Sequence, residues 1–219
     1  KIDLINKRIA SPPRSEKKSN KLIDLGLYYN ASLFHFSGYQ ANHENYDMRF
    51  LPEKYEQENN IPFDLRGLIQ LNSGLYPNGQ TVNDFGHIKG RNKVYPDSVE
   101  GIEINQKAKK IHFLVGAIFA GNMTSGSLAA SLKINYEDGS SESLELIAGA
   151  DIFEWWQADS IEELPSEKIG WVGVNNLGNK RGFTKPSWTN PNPNRLISHI
   201  DFISGKTNGA PFLIAITLE

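Results

Sequence analysis

The run GSLAASLKINYEDGSSESLELI, residues 126–147, constrains this chain more than any other stretch. Apolar and polar residues alternate on either side of Asp138-Gly139, a pair whose second residue accepts a left-handed backbone, so the run reads as a β-hairpin. Strand signals recur at VEGIEIN (99–105), KKIHFLVGAIF (109–119), RLISHIDFIS (195–204) and PFLIAITLE (211–219). The segment IPFDLRGLIQLNSG (61–74) also alternates, with Leu65, Gly67, Ile69 and Leu71 against Arg66, Leu68 and Gln70, and predicts a half-buried strand. Only SIEELPSEK (160–168) resembles even one helical turn. The expectation is an all-β domain: two antiparallel sheets packed face to face, with long loops at one end.

Composition narrows the function. With 219 residues, 39% hydrophobic and 22% charged, the chain is long enough for one sizeable core. A formal net charge of -2 gives no field to collect nucleic acid or anionic lipid, so nucleic-acid binding is not expected. Cysteine is absent, which excludes disulfides, thiolate metal sites and cysteine nucleophiles. No apolar run reaches the roughly 20 residues of a membrane-spanning helix, so membrane insertion is not expected. Residues 1–20, KIDLINKRIASPPRSEKKSN, are charged, carry Pro-Pro and lack aromatics; they read as a flexible linker ahead of a single domain over 21–219. The start at Lys1 rather than Met raises the expectation of a processed form or a piece of a longer protein.

Several segments taken in order, YYNASL, IPFDLRGLIQL, YPDSVEGIEIN, KIHFLVGA, INYEDGS, GADIFEWW, WVGVN, SWTNPNPNRLISHIDFIS and PFLIAIT, resemble a group of bacterial β-sandwich modules with a galactose-binding-like jelly-roll fold. The resemblance runs from about Leu22 to the C-terminus. It implies a module attached to a larger extracytoplasmic or signalling protein, an extracytoplasmic location, and room for a structural calcium ion. One departure is Val115, which stands where the group leads one to expect a second histidine.

Catalytic patterns are weak. Asp64 lies two residues from Arg66, so on an extended chain the two share a face and can pair with one another or with neighbours across the sheet, as a sheet-edge ion pair or a turn cap. Asp201 alternates with Ile200 and Phe202 and is expected to point outward, and Asp151 after Gly149 is expected to cap a turn through its side chain. His112, opposite in sense to Ile111 and Phe113, reads as a satisfied packing histidine. His35, His43, His87 and His199 form no metal-ligand spacing, and no G-x-S-x-G, P-loop or G-x-G-x-x-G occurs.

The tryptophans point to recognition. Sugar rings offer apolar C–H faces that stack on exposed aromatic rings, while their hydroxyls need placed donors and acceptors. In GADIFEWW (149–156) adjacent extended residues point to opposite faces, so one of Trp155 and Trp156 enters the core and the other leaves it. GWVGVNN brings Trp171 near Asn175 and Asn176, and KPSWTNPNPN sets Trp188 beside Asn190 in a proline-stiffened loop. The expected ligand surface is therefore Trp156, Trp171, Asn175, Asn176, Trp188 and Asn190, on a non-catalytic carbohydrate-binding module. A structural or protein-interaction module and an uncharacterised glycoside hydrolase are the alternatives.

Overall fold

The computed structural model describes residues 19–33, 48–51, 54–56, 61–73 and 95–219. The linker expected over 1–20, apart from Ser19 and Asn20, lies outside the described residues, as do His35, His43 and His87. The strands are β1 (Lys54–Glu56), β2 (Pro62–Asp64), β3 (Ile69–Gln70), β4 (Ser98–Gln106), β5 (Lys110–Ile118), β6 (Leu128–Tyr136), β7 (Ser141–Ile147), β8 (Ile169–Val174), β9 (Lys180–Thr184), β10 (Ser187–Thr189), β11 (Ile197–Ser204) and β12 (Ala210–Leu218), with one short helix, α1 (Ala158–Glu162). A six-stranded sheet runs β3-β12-β5-β9-β8, with β10 also on β5; a four-stranded sheet runs β4-β11-β6-β7. Named strand pairs are antiparallel, and the two sheets pack as the expected sandwich.

The Asp138-Gly139 hairpin forms as expected. Gly139 N–H donates to Tyr136 O at 3.1 Å and Gly139 takes φ 83°, so a turn followed by a left-handed glycine closes β6 on β7. The Asp138 carboxylate accepts from Ser140 N–H at 3.0 Å, holding the turn.

Burial departs from a simple sandwich. On β5, Ile111, Phe113, Val115 and Ala117 enter the core between the sheets, where Leu132, Ile134, Ile200, Phe202 and Ile216 meet them. Leu114 and Ile118 point the other way, into a second core of Phe63, Leu65, Leu68, Trp155, Trp171, Phe183, Phe212 and Ile214. The six-stranded sheet is thus covered on both faces at its centre, which is why PFLIAITLE is nearly continuously apolar.

The half-buried strand expected over 61–74 is corrected. Residues 63–71 are buried on both sides, and the extended run breaks between β2 and β3. Gly67 lets the Tyr29 ring pack where a Cβ would come within 2.8 Å of it, and Leu68 exchanges backbone hydrogen bonds with Ala31 instead of continuing a ladder. Asp64 and Arg66 do pair, at 3.1 Å, and Arg66 also binds Asp24. Asp64 is 1% and Arg66 8% exposed, so this is an internal ion pair rather than a sheet-edge one. Asp201 points away from the core as expected but is covered, accepting from Gly101 N–H and Asn135 Nδ2, both at 2.9 Å.

Removing Asp64 leaves Arg66 with Asp24 as its counter-charge, so the loss is that of one buried charged hydrogen bond and not of the whole pair. Asp64→Ala is expected to lower unfolding free energy by about 1–3 kcal/mol, measured by urea denaturation against the native chain.

Candidate functional site

The tandem tryptophans occupy a break in the six-stranded sheet. β9 pairs with β5 only at Val115 and Thr184, and beyond that point the two strands separate. Residues 153–155 fill the gap: Ala117 N–H donates to Phe153 O at 3.0 Å, Trp155 N–H to Ala117 O at 3.1 Å, and Gly182 N–H to Trp155 O at 3.0 Å. Trp155 and Trp156 are not extended, as the sequence reading supposed, but the central pair of a turn closed by Gln157 N–H donating to Glu154 O at 2.9 Å; one ring is nevertheless buried and the other reaches the surface. Trp155 is fully buried, parallel to Phe50 at 6.5 Å and Phe183 at 6.4 Å. Trp156 is 36% exposed and meets Trp155 edge-on at 5.8 Å. The Arg181 guanidinium lies 5.2 Å from the Trp155 ring and 5.0 Å from the Trp156 ring, a cation–π contact with both.

Beside them sits a carboxylate the sequence reading did not single out. Glu154 bridges back to the loop after β5, accepting from Ala120 N–H at 2.8 Å. Burial pushes its pKa up to about 7, against the pull of backbone N–H groups of Ala120, Trp156 and Phe119 and of the Arg181 charge. A glutamate inside the aromatic run FEWW was the available signal, since an acid so placed is seldom solvated.

The six nominated residues do not converge. Trp171 is on β8, not in a loop, and is buried at 8% in the second core, tilted on Phe50 and Phe183. Asn175 is buried and organises the β8–β9 turn: its Oδ1 accepts from Leu177 N–H at 3.0 Å and Asn179 N–H at 2.9 Å. Asn176 is exposed on that turn. Trp188 lies on β10, opposite Ile111 in the core between the sheets. Asn190 is buried, accepting from Tyr136 Oη at 2.6 Å and Asn192 N–H at 2.8 Å while its Nδ2 donates to Ala108 O at 2.8 Å. Trp188 and Asn190 sit at the Lys110 end of β5, whereas Trp156 and the β8–β9 turn sit at the Ile118 end, roughly 20 Å away at about 3.3 Å per strand residue.

A cleft of about 390 Å³ opens along the Lys110 end of the sheet, lined among others by Lys110, His112, Asp151, Lys185, Ser187 and Glu219. His112 is clamped on both nitrogens, Nδ1 to Ser187 Oγ at 2.8 Å and Nε2 to Glu219 at 3.1 Å. A carboxylate can only accept, so the ring proton belongs on Nε2 and Nδ1 accepts from the Ser187 hydroxyl. Burial holds the imidazole below its ordinary pKa, with Lys110 and Lys185 adding to the effect and the Glu219 bond opposing it. Hydroxyl, imidazole and carboxylate are the parts of an acyl-transfer relay, but here the carboxylate is the open end, with its side chain 56% exposed, and the imidazole is buried. Asp151 caps the turn as expected, accepting from Ile147 N–H at 3.2 Å, and also binds Lys168 at 3.1 Å. Among the described residues no three His, Cys, Asp or Glu side chains converge as metal ligands, and no helix is long and apolar enough to cross a membrane.

The cleft could not be found by spacing, because its residues come from seven separated segments. The chain matches no known family model, and no curated protein is similar to it.

A carboxyl group whose pKa is raised on folding favours the native state most when protonated. Its contribution is therefore greatest below the unfolded value near 4.5 and is lost as pH rises through about 7. Glu154→Gln does not titrate, so the stability of the variant relative to the native chain is expected to increase between about pH 4.5 and about pH 8, by about 1–3 kcal/mol in paired urea titrations.

Proposed function

We propose that this chain is a jelly-roll module of the galactose-binding-like kind, attached to a larger extracytoplasmic protein, and that it recognises a carbohydrate without catalysis at the end of the sheet carrying Trp156. The observation that carries this reading is the state of that ring. Of the four tryptophans, Trp155, Trp171 and Trp188 are buried and Trp156 alone is exposed, and its orientation is held by the edge of Trp155 and by Arg181. A ring fixed before binding loses little entropy on stacking against the C–H face of a sugar.

The surroundings supply the rest of a sugar-binding surface. Asn176 offers an exposed amide on the β8–β9 turn; Val174 and Leu177, 59% and 56% exposed, lie on the same hairpin, with Val174 opposite Lys180 on the face away from Arg181. Glycoside hydrolysis needs two carboxyl groups acting across one bond. The charged side chain acting on Glu154 is instead Arg181, and the Glu154 carboxylate is engaged by backbone N–H groups, which favours recognition over hydrolysis. The exposed Val174 and Leu177 favour a second reading, a protein-interaction module using the same hairpin tip.

A glycan-array screen followed by tryptophan-fluorescence titration of each hit separates the two. The expected result is a saturable shift that Trp156→Ala abolishes while unfolding free energy stays within about 1 kcal/mol of the native chain. Trp188→Ala, which removes a core side chain, is expected to cost about 3–5 kcal/mol of stability. Silence across the array in a folded sample transfers the hairpin tip to the protein-interaction reading.

A further inference from the structure

The two large sheets end in β3, β8, β4 and β7, and three of these strands are guarded against pairing with another chain. β3 is only two residues long. β4 is capped by Tyr28, whose Oη donates to Gly101 O at 2.9 Å and accepts from Glu103 N–H at 3.0 Å. β7 carries Glu142 and Glu145, both exposed, and charge on an edge repels an incoming copy of the same strand. β8 has no such protection. Its sequence, IGWVGV, holds no charge and no proline, and among the described residues no strand pairs with its outer side.

The pairing with β9 fixes which backbone groups of β8 face outward. Asn175 N–H donates to Asn179 O at 2.9 Å, and the ladder keeps one register from there back to Trp171 and Phe183. Gly173 and Trp171, at two-residue steps from Asn175, therefore turn their backbone groups toward β9. Val172 and Val174, which alternate with them, turn N–H and C=O to the outside. Gly182, opposite Val172, likewise turns its N–H away from β8, to Trp155 O at 3.0 Å.

We infer that β8 pairs with β8 of a second copy of this chain, antiparallel about a two-fold axis at Gly173, joining the two six-stranded sheets edge to edge. An axis perpendicular to the sheet must pass through a residue, because only then do opposed side chains lie on the same face. Centring it on Gly173 sets Val172 of each copy opposite Val174 of the other, so the outward groups of both strands meet in two hydrogen-bonded pairs. The close central position is glycine against glycine, where a Cβ would collide with the Trp171 ring of its own chain. The pattern specifies an identical strand as the occupant. Self-pairing about an axis brings like charges near one another, and β8 is the terminal strand longer than two residues that has none to bring. Val174, 59% exposed, gains cover from Val172 of the second copy. The inference does not rest on sugar binding at Trp156, since oligomeric state is read without ligand.

The test is sedimentation velocity and light scattering of the whole chain from about 1 to about 500 μM. So short an interface belongs to the weak class, and the expected result is a reversible monomer–dimer equilibrium with a Kd of about 10–100 μM. Val174→Pro deletes an outward N–H, a change that edge strands tolerate, and Val174→Lys puts a charge on the edge. Each should weaken dimerisation by about ten-fold or more and leave the Tm of the dilute monomer nearly unchanged. Should the proline variant fail to fold, the lysine variant carries this arm alone. The chain has no cysteine, so introduced thiols report the register. Opposed residues of a hydrogen-bonded pair have Cα atoms about 5.5 Å apart, within reach of a disulfide. Val172→Cys combined with Val174→Cys should therefore give a covalent dimer on mild oxidation with copper phenanthroline, whereas Ser143→Cys on β7 should give none. A chain still monomeric at about 500 μM, a dimer unaltered by the Val174 variants, or a double-cysteine variant that does not cross-link would overturn the inference.

Discussion

The antiparallel pairing of β5 with β12 is the interaction on which the rest of the structure depends. Both strands are apolar on both faces, so each contributes to the core between the sheets and to the second core beyond. That arrangement gains burial but gives up the usual guide to register, because a slip by one residue would replace apolar contacts with other apolar contacts. Register is instead pinned by polar groups. His112 stands opposite Thr217 and is clamped to Ser187 and Glu219, Gln70 Nε2 donates to Ala210 and Pro211 carbonyls at 3.3 and 3.1 Å, and Tyr29 Oη donates to Ile214 O at 3.2 Å where the β12 ladder shifts. The buried polar side chains of this sheet are thereby explained by the apolarity around them.

The same strand pair distributes the surfaces available for function. Past Thr184 the sheet parts and takes in residues 153–155, so one tryptophan is committed to packing and its neighbour is delivered outside with a fixed ring. At the other end, β10 brings Ser187 against His112, and the link from β9 leaves Lys185 inside. Two chemically different surfaces, one aromatic and one lined by both lysines and carboxylates, result from a single sheet whose third neighbour is assembled from pieces.

What the sequence made legible follows from signal strength. Long strands with a Gly turn or a bordering polar break, β4 to β7, β11 and β12, were readable because alternation or an apolar run persisted over seven residues or more. β8, β9 and β10 were not: GWVGVNN and SWTNPNPN are short and rich in Gly, Asn and Pro, and their content argues for loops although Trp171 and Trp188 sit on strands. The asparagines were chosen for hydrogen-bonding capacity, and Asn175 and Asn190 spend that capacity on the chain's own turns, a use that composition cannot distinguish from ligand binding. That one of Trp155 and Trp156 is buried and the other exposed was expected from an extended backbone, but a turn at 154–157 produces it instead. The second core was not, since burial on both faces leaves the same apolar run as burial on one face plus an interface.

The patchwork along the outer side of β5 has a further consequence for how these molecules meet one another. An unbroken edge of free backbone donors and acceptors is a template on which another chain can add a strand. Here that side of β5 is occupied in turn by β10 at Lys110 to His112, by β9 at Val115, and by the Phe153–Trp155 segment at Ala117. No incoming strand finds a continuous ladder there, so this side of β5 is closed to cross-strand aggregation.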